Sequence, residues 1–194
     1  MSGLIWAVIG VAVAMILAFV MTMATYSDEE SKTKQTKKSA SDTAGPRVIA
    51  SPFTGKAVSL SEVEDEVFSG GMMGQGLAVI PEDGKVYSPC DGTVSTVFPT
   101  GHAVGITADN GVEVLIHIGM DTVKLDGKGF TGKVKDGDRV KTGQLLIEFD
   151  LELVKQAGYS VVSPVIISNT DEFSDVAPTA SGNVKPGDEL IVVM

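Results

Sequence analysis

Two histidines, His102 and His117, are the side chains of this sequence best suited to chemistry, and the chain has no others of this type. Each lies in an apolar segment bounded by glycines, where a polar imidazole needs a specific reason. Imidazole changes its charge near neutral pH and acts as a base, a metal ligand or a nucleophile. The pair therefore has the composition of a reactive site.

The segment that contains His117 alternates in the manner of a strand with one buried face. Every second residue of the stretch 112–117 falls on the same face of a sheet. Glu113 and Leu115 share the face of His117. This mixture of a charge, an aliphatic side chain and an imidazole suits an exposed active surface.

The spacing of the two histidines predicts that they meet across two strands. His102 and His117 are 15 residues apart, and a turn is predicted at residues 109–111. Adjacent antiparallel strands would then bring His102 opposite His117, with the Cβ atoms about 5 Å apart. A purely structural histidine is the alternative, but Gly119 and Asp121 beside His117 favour a functional pair.

Three chemistries are open to such a pair. Zinc catalysis normally takes three protein ligands, and although His117 and Asp121 have a suitable spacing, the His-x-His pair of such enzymes is missing. Attachment of a lipoyl or biotinyl group needs an exposed lysine in an apolar turn, a setting that no lysine here has. Phosphoryl transfer needs one nucleophilic imidazole, a second imidazole, a hydroxyl and no metal. Phosphoryl transfer is therefore favoured, and a zinc hydrolase is a disfavoured alternative.

The amino-terminal residues predict a membrane anchor. Residues 4–24 are 21 residues without a charge, and at about 1.5 Å per residue such a helix spans roughly 30 Å, the thickness of a bilayer core. Four lysines follow this run and none precedes it, which places the next domain in the cytoplasm. We therefore predict a single-pass transmembrane anchor at residues 1–25, retained in the cell membrane rather than cleaved as a signal peptide.

The rest of the chain divides into a linker and one domain. Residues 26–46 are rich in Ser, Thr, Lys and Asp, which predicts a disordered polar linker. From residue 47 onward, short apolar runs that stop at Gly, Pro or Asp-Gly predict an all-β domain, an antiparallel β-sandwich or barrel. One short helix is expected, with Asp150 as its N-cap and Gly158 as its end. The predicted strands lie in residues 48–50, 76–80, 94–98, 112–117, 144–149 and 189–193.

The charge of the chain excludes some partners. Residues 1–46 hold four lysines and four acidic residues, so residues 47–194 carry the whole net charge of −10. This balance argues against nucleic acid and against direct adhesion to anionic lipid, and it favours a basic protein partner. The single cysteine, Cys90, offers no internal disulfide and is compatible with a reducing compartment.

The histidine segment, Gly111-Val-Glu-Val-Leu-Ile-His-Ile-Gly-Met-Asp-Thr-Val123, closely resembles the active-site signature of a known family. That family is the glucose-type (type 1) enzyme IIA domain of the bacterial phosphoenolpyruvate:sugar phosphotransferase system. The resemblance covers essentially all of residues 47–194. Its other blocks, in the same order, are Arg47-Val-Ile-Ala-Ser-Pro-Phe-Thr-Gly55, Tyr87-Ser-Pro-Cys-Asp-Gly-Thr-Val94, Thr100-Gly-His-Ala103, residues 143–150 and Ser163-Pro-Val-Ile-Ile-Ser-Asn169.

The resemblance implies a fold and a division of roles. The fold is a β-sandwich of the duplicated hybrid type, with both histidines in a shallow apolar depression. His117 matches the nucleophile, which is phosphorylated on Nε2, and His102 matches the imidazole that holds the phosphoryl oxygens. Thr100 matches the threonine that positions this second imidazole.

The resemblance also implies a rim that binds partner proteins. Phe68 and Phe98 match apolar rim residues, and the family often has an aromatic residue at Leu115. Asp65 and Asp121 match carboxylates that suit a basic phosphocarrier surface.

The implied activity is that of a phosphotransferase component without a cofactor or a metal. The domain would accept phosphate from the histidine phosphocarrier protein and pass it to a cysteine on a IIB domain of a membrane sugar transporter. Cys90 is not that cysteine, because it lies in a turn of the IIA fold, where we expect an inert, semi-buried thiol. The alternative is a regulatory binding module on the same fold that signals phosphorylation state to other proteins.

Overall fold

The computed structural model describes residues 45–194, and this part of the chain is built almost entirely of short strands. None of the helices in residues 45–194 has the length and apolar character needed to cross a membrane. The anchor predicted at residues 1–25 and nearly all of the linker predicted at residues 26–46 lie outside the described residues. The domain predicted at residues 47–194 lies within them.

Three antiparallel sheets make up the described domain, which confirms the predicted all-β antiparallel class. The largest has the strand order β13-β2-β3-β11-β7-β6-β5-β9, and two three-stranded sheets have the orders β1-β14-β12 and β4-β10-β8. The strands are β1 (Arg47–Ala50), β2 (Gly55–Val58), β3 (Gln75–Pro81), β4 (Lys85–Tyr87), β5 (Gly92–Val97), β6 (Ala103–Ala108), β7 (Glu113–His117), β8 (Phe130–Gly132), β9 (Arg139–Val140), β10 (Leu145–Phe149), β11 (Ser163–Ile167), β12 (Val176–Pro178), β13 (Gly182–Val184) and β14 (Glu189–Val193). Each of the six predicted strands is found, with ends that differ by at most two residues.

The central strands of the large sheet form the rigid base of the histidine site. All five residues of β11 are buried, and this strand pairs with β3 on one side and with β7 on the other. On β7, Val114 and Ile116 are buried in the core, whereas the alternate residues are only half-buried. Each fully buried Val or Ile side chain contributes about 1.5–3 kcal/mol to folding relative to an exposed one. His117 therefore projects from a strand whose other face is locked into the core.

Two short α-helices accompany the sheets in residues 45–194, together with three single-turn 3₁₀ helices. The predicted helix is α2 (Leu151–Gln156), and Asp150 caps it by accepting a hydrogen bond from the Leu153 amide at 2.9 Å. Gly158 follows it with φ +81°. The other helix, α1 (Glu66–Ser69), was not predicted because four residues are too few to show a helical period. The 3₁₀ helices are η1 (Leu60–Glu62), η2 (Thr122–Leu125) and η3 (Thr170–Glu172).

Two similar sequence phrases, residues 51–55 and 88–92, adopt the same local structure. In each phrase a buried serine donates a hydrogen bond to the carbonyl two residues later, from Ser51 to Phe53 and from Ser88 to Cys90. Each phrase ends in a glycine that starts a strand against a neighbouring backbone carbonyl. The matching geometry supports the interpretation that the fold contains two related halves.

Candidate functional site

The two histidines meet at one end of the antiparallel pair β6–β7, as their spacing predicts. Their ring centroids are 5.1 Å apart, and the rings are nearly perpendicular. The register differs from the prediction by one residue, because Ala103 rather than His102 lies opposite His117. His102 precedes β6, and its carbonyl accepts a hydrogen bond from the Ile118 amide at 2.8 Å. Leaving the regular strand lets the His102 ring reach the same side as His117 despite the offset register.

The tautomer of His117 follows from its hydrogen bond. Its Nδ1 lies 2.7 Å from the carbonyl oxygen of Gly119. A carbonyl oxygen only accepts hydrogen bonds, so Nδ1 carries the proton. In the neutral ring, Nε2 is then the nitrogen with the free lone pair. Nε2 is therefore the nitrogen of His117 that is able to act as a nucleophile.

Gly119 turns the chain sharply so that its carbonyl reaches the ring two residues earlier. Its φ is +63°, a left-handed conformation that glycine adopts without steric cost. A Cβ at this position would lie 2.6 Å from the Ser160 carbonyl oxygen and 2.9 Å from Cγ2 of Thr122. Only glycine combines this backbone turn with this close contact.

Burial keeps both imidazoles neutral at pH 7. Loss of solvation lowers the pKa of His117, and the Gly119 carbonyl, Asp65 and Asp121 oppose this effect more weakly. Burial, with a smaller contribution from the charge of His117, lowers the pKa of His102 to about 4. Because a protonated imidazole has no free lone pair, the lowered pKa of His117 keeps its Nε2 able to react with an electrophile across the neutral pH range.

We expect NMR titration of the imidazole C–H signals to give His102 a midpoint near pH 4, because burial lowers its pKa from 6.5 to about 4. Since the unfolded chain binds this proton at higher pH, the free energy of unfolding should fall as the pH drops from about 6.5 towards 4. The His117→Gln variant is the control, and it should raise the midpoint only slightly because burial is the larger cause. A midpoint near 6.5 in the native protein would contradict the environment described for His102.

The His102 ring is held between Thr100 and Phe98. Oγ1 of Thr100, for which a positioning role is predicted, is in hydrogen-bond contact with Nδ1 of His102. Phe98 packs against His102 with centroids 5.4 Å apart, and its side chain is 37% exposed at the surface. The contact with Thr100 occupies Nδ1 and leaves Nε2 of His102 available to bind another group.

Phe68 packs against the ring of His117. Its ring centroid lies 5.1 Å from that of His117, and Phe68 is buried. Asp65 caps α1, the helix that carries Phe68, by accepting hydrogen bonds from the amides of Val67 and Phe68. The carboxylate predicted to face a basic partner therefore also fixes the aromatic wall of the site.

We expect Asp65→Ala and Asp65→Asn to separate these two roles. Asparagine is as good an N-cap as aspartate but carries no charge, whereas alanine removes both properties. Asp65→Ala should lower the free energy of unfolding by about 1 kcal/mol and Asp65→Asn by much less. Both should lower the pKa of His117 alike, because the Asp65 charge raises it. Denaturant unfolding and NMR titration measure the two effects, and equal destabilisation by both variants would exclude the capping role.

Leu115 and Asp121 lie beside the histidine pair. Leu115 is half-buried on the His117 face of β7, between Gly105 on β6 and Ile166 on β11. Asp121 is exposed and forms an ion pair with Lys124 at 3.0 Å. Such an exposed pair contributes little to stability, so the Asp121 carboxylate is free to exchange Lys124 for a partner's cation.

Sequence reasoning missed four exposed apolar side chains on the segments that carry site residues. Large exposed apolar residues around polar groups indicate a docking surface for another protein. In segments this short the sequence pattern does not show which apolar residues stay exposed, which is why these were not identified. They are Val67 on α1, Met72 and Met73 in the loop between α1 and β3, and Val123 on η2.

Cys90 has the properties expected of an inert thiol. It is 7% exposed, and burial together with the charges of Asp91 and Asp109 raises its pKa to about 12. At pH 7 it is therefore protonated and a poor nucleophile. Within residues 45–194, the His, Cys, Asp and Glu side chains form no group of three or more that could hold a metal ion.

Comparison with known proteins finds, for most of the chain, the same family that the sequence motifs resemble. Residues 47–173 match the family model of the phosphoenolpyruvate-dependent sugar phosphotransferase system, EIIA 1. The glucose-specific EIIA component of Halalkalibacterium halodurans is 42% identical over 160 residues, which are 81% of this chain and 92% of that protein. The glucose permease IIA structure from Mycoplasma capricolum superimposes with a TM-score of 0.73 at 38% identity, covering 77% of this chain and 96% of that one.

Longer relatives match as well. The beta-glucoside-specific EIIBCA component of Bacillus subtilis is 51% identical over 146 residues, which are 75% of this chain. The matched part is 24% of that relative, so the chain spans about a quarter of its length.

Proposed function

Since this chain belongs to the EIIA 1 family of the phosphoenolpyruvate-dependent sugar phosphotransferase system, we propose that it carries phosphoryl groups on His117. Nε2 of His117 attacks the phosphorus of the phosphorylated histidine phosphocarrier protein. The new Nε2–P bond forms as the nitrogen–phosphorus bond to the carrier breaks, and the proton on Nδ1 stays in place. The phosphoryl group then passes to the cysteine of a IIB domain, where it serves coupled sugar uptake and phosphorylation.

The hydrogen bond between Nδ1 of His117 and the Gly119 carbonyl, at 2.7 Å, is the observation that carries this proposal. It presents the lone pair of Nε2 before any partner binds, so the ring need not exchange tautomers in the transition state. Such preorganisation lowers the barrier to attack. After transfer, the same bond stabilises the phosphorylated ring in a fixed orientation.

His102 is proposed to hold the oxygens of the phosphoryl group. Its ring adjoins that of His117, with the centroids 5.1 Å apart, so a phosphoryl group on Nε2 of His117 would lie next to the His102 ring. Thr100 positions this ring through Nδ1. A fixed nitrogen donor aimed at oxygens where charge develops stabilises the transition state without rearrangement.

The surface around the histidines is proposed to bind both partners in turn. Phe98, which packs against His102, and Val67, next to Phe68 on α1, are exposed apolar side chains, and Asp65 and Asp121 lie close to His117. An apolar centre excludes water from the transferring group, and the carboxylates attract a basic partner. The histidine phosphocarrier protein and the IIB domain would therefore use overlapping parts of one face.

A reconstituted phosphorelay tests the proposal. We expect the purified chain to become radioactively labelled when it is incubated with labelled phosphoenolpyruvate, enzyme I and the histidine phosphocarrier protein. The label should then move to a IIB domain. Failure of the wild-type chain to accept phosphate would contradict the proposal. Labelling without restoration of sugar uptake in cells would favour the regulatory alternative.

Residues 1–25 are proposed to anchor the protein to the cell membrane, with the IIA domain on the cytoplasmic side. An anchor followed by the polar linker of residues 26–46 would raise the effective concentration of the domain near a membrane-borne transporter. The charge-free run of residues 4–24 and the four lysines after it support this proposal.

We expect deletion of residues 1–46 to leave the rate of phosphorylation in solution unchanged and to reduce sugar uptake in cells, because the reactive groups lie in the remaining domain. Uptake of labelled sugar in a strain that lacks the native gene measures the effect. A matched control replaces residues 1–25 with an unrelated single-pass helix, which should restore uptake. Full uptake by the deleted protein, at equal expression, would exclude a role for the anchor in transport.

A further inference from the structure

The direction of the Gly119 carbonyl depends on hydrogen bonds made by the two peptide groups that flank this residue. Gly119 has no side chain to restrict rotation about its backbone bonds. On one side, its own N–H donates to Oγ of Ser163 at 3.0 Å. On the other side, the N–H of Met120 donates to the carbonyl oxygen of Ser160 at 2.8 Å. These two bonds hold Gly119 at a φ of +63°.

The hydroxyl of Ser163 makes its hydrogen bonds inside the protein, and one of them holds the Gly119 amide. Ser163 has no exposed surface, so it cannot contact a partner protein. Its hydroxyl donates a hydrogen bond to the carbonyl oxygen of Val161 at 2.9 Å. A lone pair of Oγ then accepts the hydrogen bond from the Gly119 amide. Ser163 also begins β11, where it pairs with Val79 on β3, so its position is set by the centre of the large sheet.

We infer that Ser163 is a positioning residue for His117. Its hydroxyl fixes the backbone of Gly119 so that the Gly119 carbonyl accepts the proton on Nδ1, which keeps the lone pair on Nε2. Ser163 thus sets the tautomer of the proposed nucleophile through two successive hydrogen bonds. The effect on phosphoryl transfer rests on the proposed function, whereas the effect on the tautomer does not.

Ser51 provides a matched control because it is also a fully buried serine with one donated and one accepted hydrogen bond. Its Oγ donates to the Phe53 carbonyl and accepts from the Phe53 amide, so its side-chain bonds stay within residues 51–53. Removing either hydroxyl leaves a buried amide without its acceptor. A merely structural role for Ser163 would therefore give both alanine variants the same behaviour.

The first experiment is ¹⁵N NMR of the imidazole nitrogens in the full chain at pH 7, without any phosphoryl donor. In the wild type, Nδ1 of His117 should have the chemical shift of a protonated nitrogen and Nε2 that of an unprotonated one. In Ser163→Ala, we expect the two shifts to move towards each other as both tautomers become populated. Ser51→Ala and Ser163→Thr, which keeps the hydroxyl, should retain the wild-type shifts. Wild-type shifts in Ser163→Ala would overturn the inference.

The second experiment measures the rate of phosphoryl acceptance from the histidine phosphocarrier protein. We expect Ser163→Ala to be slower by about tenfold, because misorientation of a reacting group has a cost of this order or larger. Ser51→Ala should react at the wild-type rate. Equal rates for the two alanine variants would overturn the kinetic part of the inference. If the wild type accepts no phosphate, the proposed function fails, and the ¹⁵N shifts still decide the role of Ser163.

Discussion

His117→Ala is expected to abolish phosphoryl acceptance, to below about one thousandth of the wild-type rate, because loss of a nucleophile removes the covalent route. Within residues 45–194, His117 is the side chain whose Nε2 is left unprotonated by a hydrogen bond from Nδ1 to a carbonyl oxygen. Burial also keeps His102 neutral at pH 7, with a pKa of about 4, but the proposed role of this ring is to hold the phosphoryl oxygens rather than to form the bond to phosphorus. Transfer of radioactive phosphate from phosphoenolpyruvate through enzyme I and the phosphocarrier measures the loss.

Glu113→Ala is the matched control for this experiment. Glu113 lies on β7 on the same face as His117, at the far end of the strand from the His102 ring. The variant should accept phosphate at close to the wild-type rate, which shows that changes to this face are tolerated. Labelling that survives His117→Ala would refute the assignment of the nucleophile. The label on the wild type should be lost in acid and kept in alkali, as expected of a phosphohistidine.

His102→Ala is expected to accept phosphate but to pass it to a IIB domain about 100-fold more slowly, the scale of losing one fixed donor to a developing charge. Acceptance depends first on the lone pair of His117, which the Gly119 carbonyl presents without help from His102. Donation requires the phosphoryl oxygens to be stabilised while His117 becomes the leaving group. Rapid mixing of the labelled protein with a IIB domain measures this second step by itself.

His102→Gln tests whether a nitrogen donor is sufficient at this position. Its amide can donate a hydrogen bond to a phosphoryl oxygen, so it should recover part of the donation rate lost in His102→Ala. Thr100→Val should have a smaller effect than either, because it removes only the contact that orients the His102 ring. If His102→Ala accepts no phosphate, His102 acts in the first step and the division of roles proposed for the pair is wrong.

The sheets were largely predictable from the chain itself. Strands such as β7 and β14 combine β-branched residues with turn residues at their ends, so local composition and alternation define them. The capped helix α2 was equally predictable from the sequence, because Asp150 precedes its first residue and Gly158 follows its last turn. In contrast, α1 has a single turn, and its cap, Asp65, looked like a surface carboxylate. A four-residue helix carries too little pattern to be distinguished from a loop.

The residue types of the site and their approximate meeting point were determined by the sequence alone. Two histidines 15 residues apart, a turn between them and the family's ordered motifs were enough to predict the pair. The strand register was not determined by the sequence. His102 lies just before the first residue of β6, and only the backbone path shows that Ala103 lies opposite His117.

The family resemblance already implies that Nε2 of His117 reacts, but only the tertiary structure shows what leaves this nitrogen free. Its free state depends on the Gly119 carbonyl, and Gly119 is bound by Ser163, which is 44 residues later in the chain. A contact across such a distance leaves no local pattern, since neither glycine nor serine changes the alternation of its own segment. The burial that lowers the pKa of both imidazoles likewise arises only when β6, β7, β11 and α1 come together. The sequence therefore determined the presence of an imidazole pair, and the packing of distant segments determined its chemical state.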